Sequence, residues 1–476
     1  RSRFKVTIEE GEDRGLSVRV SRFVGLLYCP YRIPDENDKY VETFEDCDVF
    51  FIGHFSNKFN LEKNQAWNYI QQKHLLKNKN QDQKQCAGCS GGCVTDAQAG
   101  FHISEAFTPF SQKDEIFSRS FWDETIHSEK TDRFYTSYRK PLKEWKQVDG
   151  YQHRDFSVRN AGWHVADFFA ERLDESNERR EGFLDFLTAQ RESNAEPRDI
   201  PDPVEMSGEI KHVAKLFGAD LCGITFYDKR WTYTKRFNRH QLDEVEMDLP
   251  DGMTNTIVIA HEMDFELLRT VPSALSGTAT GVGYSRDVTT LLALAQYIRN
   301  LGYEAYASMN DTALSIPMAI QAGLGEYGRH GLLITKEFGP RVRLGKIFTN
   351  LPLSHDKPIR FGVEEFCNVC KECAENCPPS AIDFGDQKET IYSQSNIPGI
   401  SKWTTDPEKC FDFWVKQVTD CSICIRVCPY NRKIPKWLYN IRIKLMGTSF
   451  RKFMLWLDRA MGKGERNAPS NWWNNN

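Results

Sequence analysis

The middle of the chain alternates between helix-like and strand-like spacing of its apolar residues. WHVADFFAERLDE, starting at Trp163, and EGFLDFLTAQRE place apolar side chains three and four positions apart, which is typical of amphipathic helices. After a polar linker at 192–203, the pattern predicts a helix ending at Gly218 and then strands at LCGITFY and NTIVIAHE. Residues 200–365 therefore favour a mixed α/β core.

A long helix of this core carries a single apolar stripe. Ser285 can cap its start, and Gly302 lies just past its predicted end. Further strands are predicted at 331–335 and 341–350. The stripe consists of Val288, Leu291, Leu292, Ala295 and Ile298.

The first 150 residues are polar and show little periodicity, so they predict an irregular region. They contain CAGCSGGC, whose three thiols could bind a metal ion, although no fourth ligand is close in sequence. Free or structural thiols in a glycine-rich turn are the favoured interpretation. The cysteines concerned are Cys86, Cys89 and Cys93, with Cys29 and Cys47 farther away.

Charge and hydropathy narrow the range of partners. The 476-residue chain has a net charge of −4 and a pI near 6.3, so no global basic field indicates a nucleic-acid partner. No run of about 18 uncharged apolar residues is present, as a membrane-spanning helix would require. The chain begins at Arg1 without a signal-like apolar region, which leaves removal of a leader open.

The tail is locally basic. Between Arg432 and Lys463 there are nine Lys and Arg residues against one acid, Asp458. A basic amphipathic segment of this kind can lie on an anionic surface or on a partner, and its apolar stripe can equally pack against its own domain. Both interpretations stay open.

The clearest chemistry lies in two cysteine runs, CNVCKECAENCPPSAI from Cys367 and CSICIRVCP from Cys421. C-x2-C-x2-C-x3-C-P is the spacing of bacterial ferredoxins, in which the fourth thiolate binds the neighbouring cluster. Zinc is the alternative, but zinc sites use paired C-x2-C units separated by longer loops. The spacing therefore predicts two [4Fe-4S] clusters, one bound by Cys367, Cys370, Cys373 and Cys428, the other by Cys377, Cys410, Cys421 and Cys424.

Such clusters carry single electrons, so the preceding core must hold the destination of those electrons. GLGEYG matches G-x-G-x-x-G literally, but it lacks the preceding strand, the following helix and the acid of a dinucleotide site. We therefore predict that its glycines bind a cofactor differently, by letting the backbone approach a flat or bulky group. These glycines are Gly323, Gly325 and Gly328.

From SALSGTATGVGYSRD through GLGEYGRHGLLITKEFG to the cysteine runs, the chain resembles the corrinoid-dependent reductive dehalogenases. The resemblance covers about residues 200–430. It implies an α/β (α+β) nitroreductase-like corrinoid-binding core with a bacterial ferredoxin-like double-cluster module and a base-off cobamide. The domain boundaries expected from it are an N-terminal region of unassigned role at 1–160, the core at 161–365, the two-cluster module at 366–430 and the basic amphipathic segment at 431–476.

By local motif, the resemblance implies three catalytic residues: Tyr284 as proton donor, Arg329 beside it, and Asn310. A phenol with a pKa near 10 is a poor acid at pH 7, and an adjacent guanidinium stabilises the phenolate. Each residue also has a structural alternative. Tyr284 could cap a helix with its ring in the core, Arg329 could pair with a surface carboxylate, and Asn310 could be a turn residue.

The function that the resemblance implies is reductive dehalogenation, in which Co(I), reduced through the two clusters, breaks a carbon–halogen bond. Two alternatives stay open: an epoxyqueuosine reductase acting on tRNA, and an electron-transfer subunit without catalysis. The expected partners are a small organohalide, an electron donor such as a ferredoxin, flavodoxin or quinol-linked protein, and a small membrane-anchor subunit, with no nucleic acid. The expected location is the outer face of the cytoplasmic membrane if a twin-arginine leader was removed, and the cytoplasm otherwise.

Overall fold

The computed structural model describes residues 4–10, 16–22, 32–33, 101–140, 142, 147–177, 195–239, 241–247, 249–462 and 464–474. The chain divides into two compact units, 1–93 and 94–476. In the first unit, β1 (Phe4–Glu10), β2 (Leu16–Arg22) and β3 (Arg32–Ile33) form an antiparallel sheet in that order. The prediction that this region is irregular is therefore wrong for these strands. Cys29, Cys47, Cys86, Cys89 and Cys93 lie outside the described residues.

A four-stranded antiparallel sheet forms the centre of the second unit, in the order β5-β8-β12-β9. β8 is buried along nearly its whole length because side chains pack on both of its faces, which explains its continuous apolar run. The strands predicted at LCGITFY, NTIVIAHE and 341–350 are confirmed. The strands are β5 (Leu221–Phe226), β8 (Asn255–Glu262), β9 (Ala305–Ser308) and β12 (Val342–Thr349).

The long helix α6 (Gly277–Asn300) packs on one face of this sheet. The predicted stripe is confirmed for four of its members, which are fully buried, while Leu292 is only partly buried. The predicted start at Ser285 is wrong, because α6 begins at Gly277. The small residues from Gly277 onward are helical, but they do not show the spacing of large apolar side chains that predicts a helix. Ser285 instead donates a hydrogen bond from its hydroxyl to the Gly162 carbonyl at 2.7 Å.

Two further helices flank α6. The helix predicted from Trp163 is confirmed as α3 (His153–Asn177), and the one ending near Gly218 as α4 (Pro203–Leu216). Asp202 caps α4 by accepting hydrogen bonds from the Val204 and Glu205 amides at 2.8 and 3.3 Å. The segment EGFLDFLTAQRE lies entirely outside the described residues.

The cysteine runs lie on four short helices with connecting loops. A helical hairpin, α12 (Lys436–Met446) and α13 (Arg451–Ala460), then packs its inner face onto them. This finding bears out packing as one use of the basic segment. The cysteine-bearing helices are α8 (Val363–Val369), α9 (Glu372–Glu375), α10 (Pro407–Gln417) and α11 (Ile423–Val427).

Smaller elements complete the second unit. Helices within 101–140 show that the prediction of an irregular region is wrong there as well. No helix among the described residues is long and apolar enough to cross a membrane. The remaining helices are α1 (Ile116–Trp122), α2 (Glu129–Arg139), α5 (Phe265–Arg269), α7 (Ser315–Gln321) and α14 (Pro469–Asn474), with short 3-10 turns at Gln112–Asp114 and Lys229–Trp231. The remaining strands pair as β4 (His102–Ile103) with β13 (Ile400–Ser401), β6 (Lys235–Asn238) with β7 (Asp243–Glu246), and β10 (Gly325–Tyr327) with β11 (Leu333–Thr335).

A buried charge network fixes the hairpin to the cysteine-bearing helices. Asp458 of α13 accepts hydrogen bonds from Arg432 at 2.7 and 2.9 Å and from Arg442 at 2.5 Å. All three side chains are almost fully buried. Burial opposes ionisation of Asp458, but the hydrogen bond and charge of Arg432, with the charge of Arg442, hold its pKa below the usual 3.8.

Replacing Asp458 by Asn should lower the free energy of unfolding by about 3–5 kcal/mol, because two buried guanidinium groups lose their counter-charge. The folded-state pKa of Asp458 is depressed, so its contribution is complete above the unfolded value of 3.8 and is lost as the pH falls through the folded value. Urea unfolding at pH 7 and at decreasing pH measures both effects. Asp412→Asn, which removes only an exposed pair with Lys416, is the control and should change little. A similar small loss in both variants would contradict the prediction.

Candidate active site and cluster ligands

A cavity of about 470 Å³ lies in the second unit, between α1, α2, α3, α6 and the end of α10. Helices of the region up to residue 160 supply part of its wall, a contribution that sequence reasoning missed. Regular spacing of aromatic residues in α2 could have revealed it. The aromatic lining residues are Phe117, Phe134, Tyr135, Tyr138, Trp163, Tyr233, Tyr284 and Trp414.

Tyr284 lies in the cavity wall and is 7% exposed. Its ring packs against Trp163, with 4.8 Å between the ring centroids. Its hydroxyl oxygen accepts hydrogen bonds from the Asn310 amide and from the Arg343 guanidinium, whose carbon lies 4.0 Å from the ring centroid. Tyr284 and Asn310, two of the three catalytic residues that the resemblance implies, therefore meet.

Arg329 does not reach Tyr284, which corrects its predicted position. Its guanidinium donates to the Cys367 carbonyl at 2.9 and 3.0 Å and to the Asp383 and Gly385 carbonyls at 2.8 Å. Its side chain, 1% exposed, lies in the turn between β10 and β11. Arg329 therefore holds loops of the cysteine-bearing module, and Arg343 takes the place beside the phenol.

The register of β12 explains why Arg343 reaches the site. Side chains alternate between the two faces of a strand, so Arg343, Gly345 and Ile347 share one face. Ile347 packs in the core formed with α6, and a Cβ on Gly345 would lie 2.7 Å from Leu291 of α6. In the sequence RVRLGKIFTN, the alternation of side chains between the two faces of the strand could have identified Arg343.

The glycine-rich start of α6 makes room for these side chains. A Cβ on Gly283 would lie 2.4 Å from Cγ of Arg343, and one on Gly281 would lie 2.4 Å from Cδ1 of Trp163. Contacts this short require something to move. Glycine at these two positions therefore lets the arginine and the indole approach Tyr284.

Buried ionisable groups surround the site. His261 and Asp287 are fully buried, with 3.4 Å between Nε2 and Oδ1. Burial raises the pKa of Asp287 to about 7, against the opposing charge of Arg343, and burial lowers the pKa of His261 to about 4. Burial also lowers the pKa of Lys346 to about 8. Lys346 donates to the Met309 carbonyl at 2.6 Å and thereby holds the loop that carries Asn310.

The first predicted cysteine set comes together in the structure. Its four thiols line one small cavity together with His330, Phe366, Pro429 and Tyr430. Burial raises the pKa of Cys367 to about 11 and that of Cys428 to about 12. The set consists of Cys367, Cys370, Cys373 and Cys428.

The second set also comes together. Burial raises the pKa of Cys410 to about 12, and Cys421 and Cys377 raise it further. Burial also raises the pKa of Cys424, and Cys421, Cys410 and Cys377 add to that rise. Nine cysteines lie in the described ranges, and none of them forms a disulfide. In the same ranges, no three His, Cys, Asp or Glu side chains converge as ligands of a single metal ion.

The three glycines predicted to bind a cofactor are not among the residues lining the 470 Å³ cavity. A Cβ on Gly325 would lie 2.2 Å from the Ile334 carbonyl oxygen, and one on Gly323 would lie 2.7 Å from the Lys357 carbonyl oxygen. At Gly328 the close neighbours are the His330 and Ile334 side chains. The group that approaches each glycine is therefore part of the chain itself.

Two family models match the chain. Residues 246–353 match the reductive dehalogenase subunit family, and residues 366–432 match the 4Fe-4S dicluster domain. A tetrachloroethene reductive dehalogenase of Desulfitobacterium hafniense is 35% identical over 323 residues, which cover 57% of this chain and 58% of that protein. Over these ranges the chain is similar to the reductive dehalogenases.

The reductive dehalogenase match contains Tyr284, Asn310, Arg329 and Arg343, and the dicluster match contains both cysteine sets. A solved reductive dehalogenase, described as suggesting a mechanism for B12-dependent dehalogenation, has the same fold. Its TM-score is 0.62 at 22% identity, covering 78% of this chain and 49% of that one. The chain spans 58% of the length of the first curated relative it matches.

Epoxyqueuosine reductases are more distant relatives over a shorter stretch. The enzyme of Lactococcus garvieae is 33% identical over 135 residues, which cover 27% of this chain and 36% of that protein. The similarity to the tetrachloroethene reductive dehalogenase is thus more than twice as long.

Replacing Cys428 by Ser should reduce the iron content of the purified holoprotein to about half, because one cluster loses a thiolate ligand. Iron analysis together with the visible absorbance of the clusters measures the change. Cys222→Ser is the matched control, since Cys222 lies in β5 and belongs to neither set. Equal iron in both variants would contradict the assignment.

Replacing Arg343 by Met should lower turnover about 100-fold or more with the iron content unchanged, because the phenol loses its cationic neighbour. Arg329→Met should instead weaken the cysteine-bearing module, because buried carbonyls lose their donors at about 1–3 kcal/mol each. Turnover, iron content and thermal unfolding of the two variants separate these effects. Loss of turnover in Arg329→Met, together with a weakened module in Arg343→Met, would contradict these assignments.

Proposed function

We propose that this chain is a corrinoid-dependent reductive dehalogenase, which replaces halogen by hydrogen on a small organohalide. The observation that carries the proposal is the Tyr284 hydroxyl, held by Asn310 and Arg343 in the wall of a cavity beside a two-cluster module. The reaction needs a proton and electrons. A phenol can release the proton, and the clusters can supply electrons one at a time.

Tyr284 is the proton donor in this proposal. Two hydrogen-bond donors point at its oxygen, and both stabilise the phenolate that remains after proton transfer. Arginine suits this position because it stays charged in an apolar environment, whereas a lysine loses its proton more readily there. Arg343 therefore supplies the role that the sequence resemblance gave to Arg329.

Electrons reach the cavity through the two clusters. Asp420 and Ile425 line the cavity and are sequence neighbours of the ligands Cys421 and Cys424. Asp420 also accepts a hydrogen bond from Thr280 of α6 at 2.7 Å, which joins the module to the helix that carries Tyr284. The cysteine-bearing module and the proton donor thus share one wall.

The cavity is suited to a corrinoid together with a small apolar substrate. Its wall is largely apolar, and Nε1 of Trp163 and Nε of Arg343 are buried donors in this wall without a partner among the described residues. Unpaired buried donors are costly unless a bound group accepts from them. A bound corrinoid would supply the strongly reducing cobalt that breaks the carbon–halogen bond, while the surrounding side chains keep water out.

The wider expectations belong to the same proposal. The nitroreductase-like description of the core is supported by helices packed on an antiparallel sheet. An electron donor such as a ferredoxin, a flavodoxin or a quinol-linked protein would feed the clusters, and a small membrane-anchor subunit would hold the protein at the cytoplasmic membrane. An electron-transfer subunit without catalysis would have no use for the cavity, and the tRNA-directed alternative has the shorter similarity.

Replacing Tyr284 by Phe should lower dehalogenation about 100-fold or more, the usual contribution of a positioned acid. The measurement is turnover of the holoprotein with reduced viologen across a panel of halogenated substrates, with cobalt and iron determined for each preparation. Tyr135→Phe is the control, since it removes another hydroxyl from the same cavity wall. The proposal fails if Tyr284→Phe dehalogenates as fast as the parent, or if the active parent contains no cobalt.

A further inference from the structure

The outer face of the α12–α13 hairpin exposes large apolar side chains. Other side chains of the hairpin make its contact with the cysteine-bearing helices. On α12, Trp437 is 67% exposed, and on α13, Trp456 is 62% exposed. We call this face the hairpin surface. It consists of Trp437, Leu438, Ile441, Phe450, Phe453 and Trp456.

These side chains lie together because of helical spacing. Trp437 and Ile441 are four residues apart on α12, and Phe453 and Trp456 are three apart on α13, so each pair shares a helix face. The rings of Phe453 and Trp456 stack with 5.7 Å between their centroids. Other residues of the hairpin are buried against the cysteine-bearing module, namely Tyr439, Ile443, Met446, Met454 and Leu455.

Nearly all the charges that the hairpin segment itself carries are positive. The only acid between Arg432 and Lys463 is Asp458, which is buried and paired with two arginines. Arg459 pairs with Glu372 and Glu375. Four exposed lysines have no ion pair among the described residues: Lys433, Lys436, Lys444 and Lys452.

We propose that the hairpin surface docks on the interface of an anionic lipid membrane. Tryptophan rings are favoured at the level of lipid headgroups, where one side of the ring is apolar and the other is wet. Lysines near an anionic surface are attracted to it electrostatically. A second copy of the chain would bring like charges together, so the charge pattern disfavours it as the occupant.

Docking of this kind places the first cysteine set close to the membrane. Cys367, Cys370 and Cys428 belong to the core that the inner face of the hairpin covers. One layer of helices therefore separates these thiols from the hairpin surface. The inference stands independently of dehalogenation, because it rests on exposure and charge alone.

Co-sedimentation of the purified holoprotein with vesicles tests the proposal, using phosphatidylcholine alone and phosphatidylcholine mixed with phosphatidylglycerol. We expect binding to the anionic vesicles only, weakened by salt because the attraction is screened. The double variant Trp437→Ser/Trp456→Ser should bind at least about tenfold more weakly, through loss of buried apolar area. Lys444→Glu/Lys452→Glu should weaken binding by a similar factor.

The matched control is Val204→Ser/Leu216→Ser, which removes two apolar side chains of α4 that are 66% and 73% exposed. It should bind as the parent does, and all variants should keep the cluster absorbance and viologen-linked turnover of the parent. Equal binding to both kinds of vesicle, or unchanged binding in the hairpin variants, would overturn the proposal. A dimer in ultracentrifugation, or a protein complex without lipid binding, that the hairpin variants abolish would overturn it in favour of a protein occupant.

Discussion

The contact between the Arg343 guanidinium and the Tyr284 ring and hydroxyl is the interaction on which the site depends. A cation is expensive to bury unless polar groups surround it, so its position dictates much of its surroundings. Gly283 leaves the space that the arginine side chain crosses, and Asn310 completes the hydrogen bonding of the phenol. The register of β12 against β8 fixes the position of the Arg343 backbone, from which the side chain extends. A change at any of these positions alters the packing around the Tyr284 hydroxyl.

Buried arginines recur where segments distant in sequence meet. Arg159 of α3 donates to the Val418 carbonyl at 2.9 Å and to the Ser137 carbonyl at 2.7 Å, so it joins α2, α3 and the end of α10. Arg329 and the Arg432–Asp458 pair do the same for the loops and the hairpin around the first cysteine set. Guanidinium groups suit these positions because they supply several donors in a rigid plane.

The second unit thus separates two kinds of chemistry. Its cavity brings a phenol, a guanidinium and the cysteine-bearing module together within a largely apolar lining. Its hairpin turns aromatic rings and lysines outward on the far side of the first cysteine set. One module of helices therefore connects the hairpin surface with the wall of the cavity.

The sequence by itself determined the features that depend on neighbours along the chain. Spacing of apolar residues predicted α3, α4, β5, β8 and β12, and cysteine spacing predicted both sets of thiols, because helix period, strand period and turn geometry are local. Only the tertiary structure decided that Arg343 rather than Arg329 meets Tyr284, since that depends on strand register and on which side of a turn a long side chain points. It also decided that helices near residues 116–139 complete the cavity and that the glycines of GLGEYG accommodate other parts of the chain itself. Those relations join residues far apart in sequence, so no local pattern contains them.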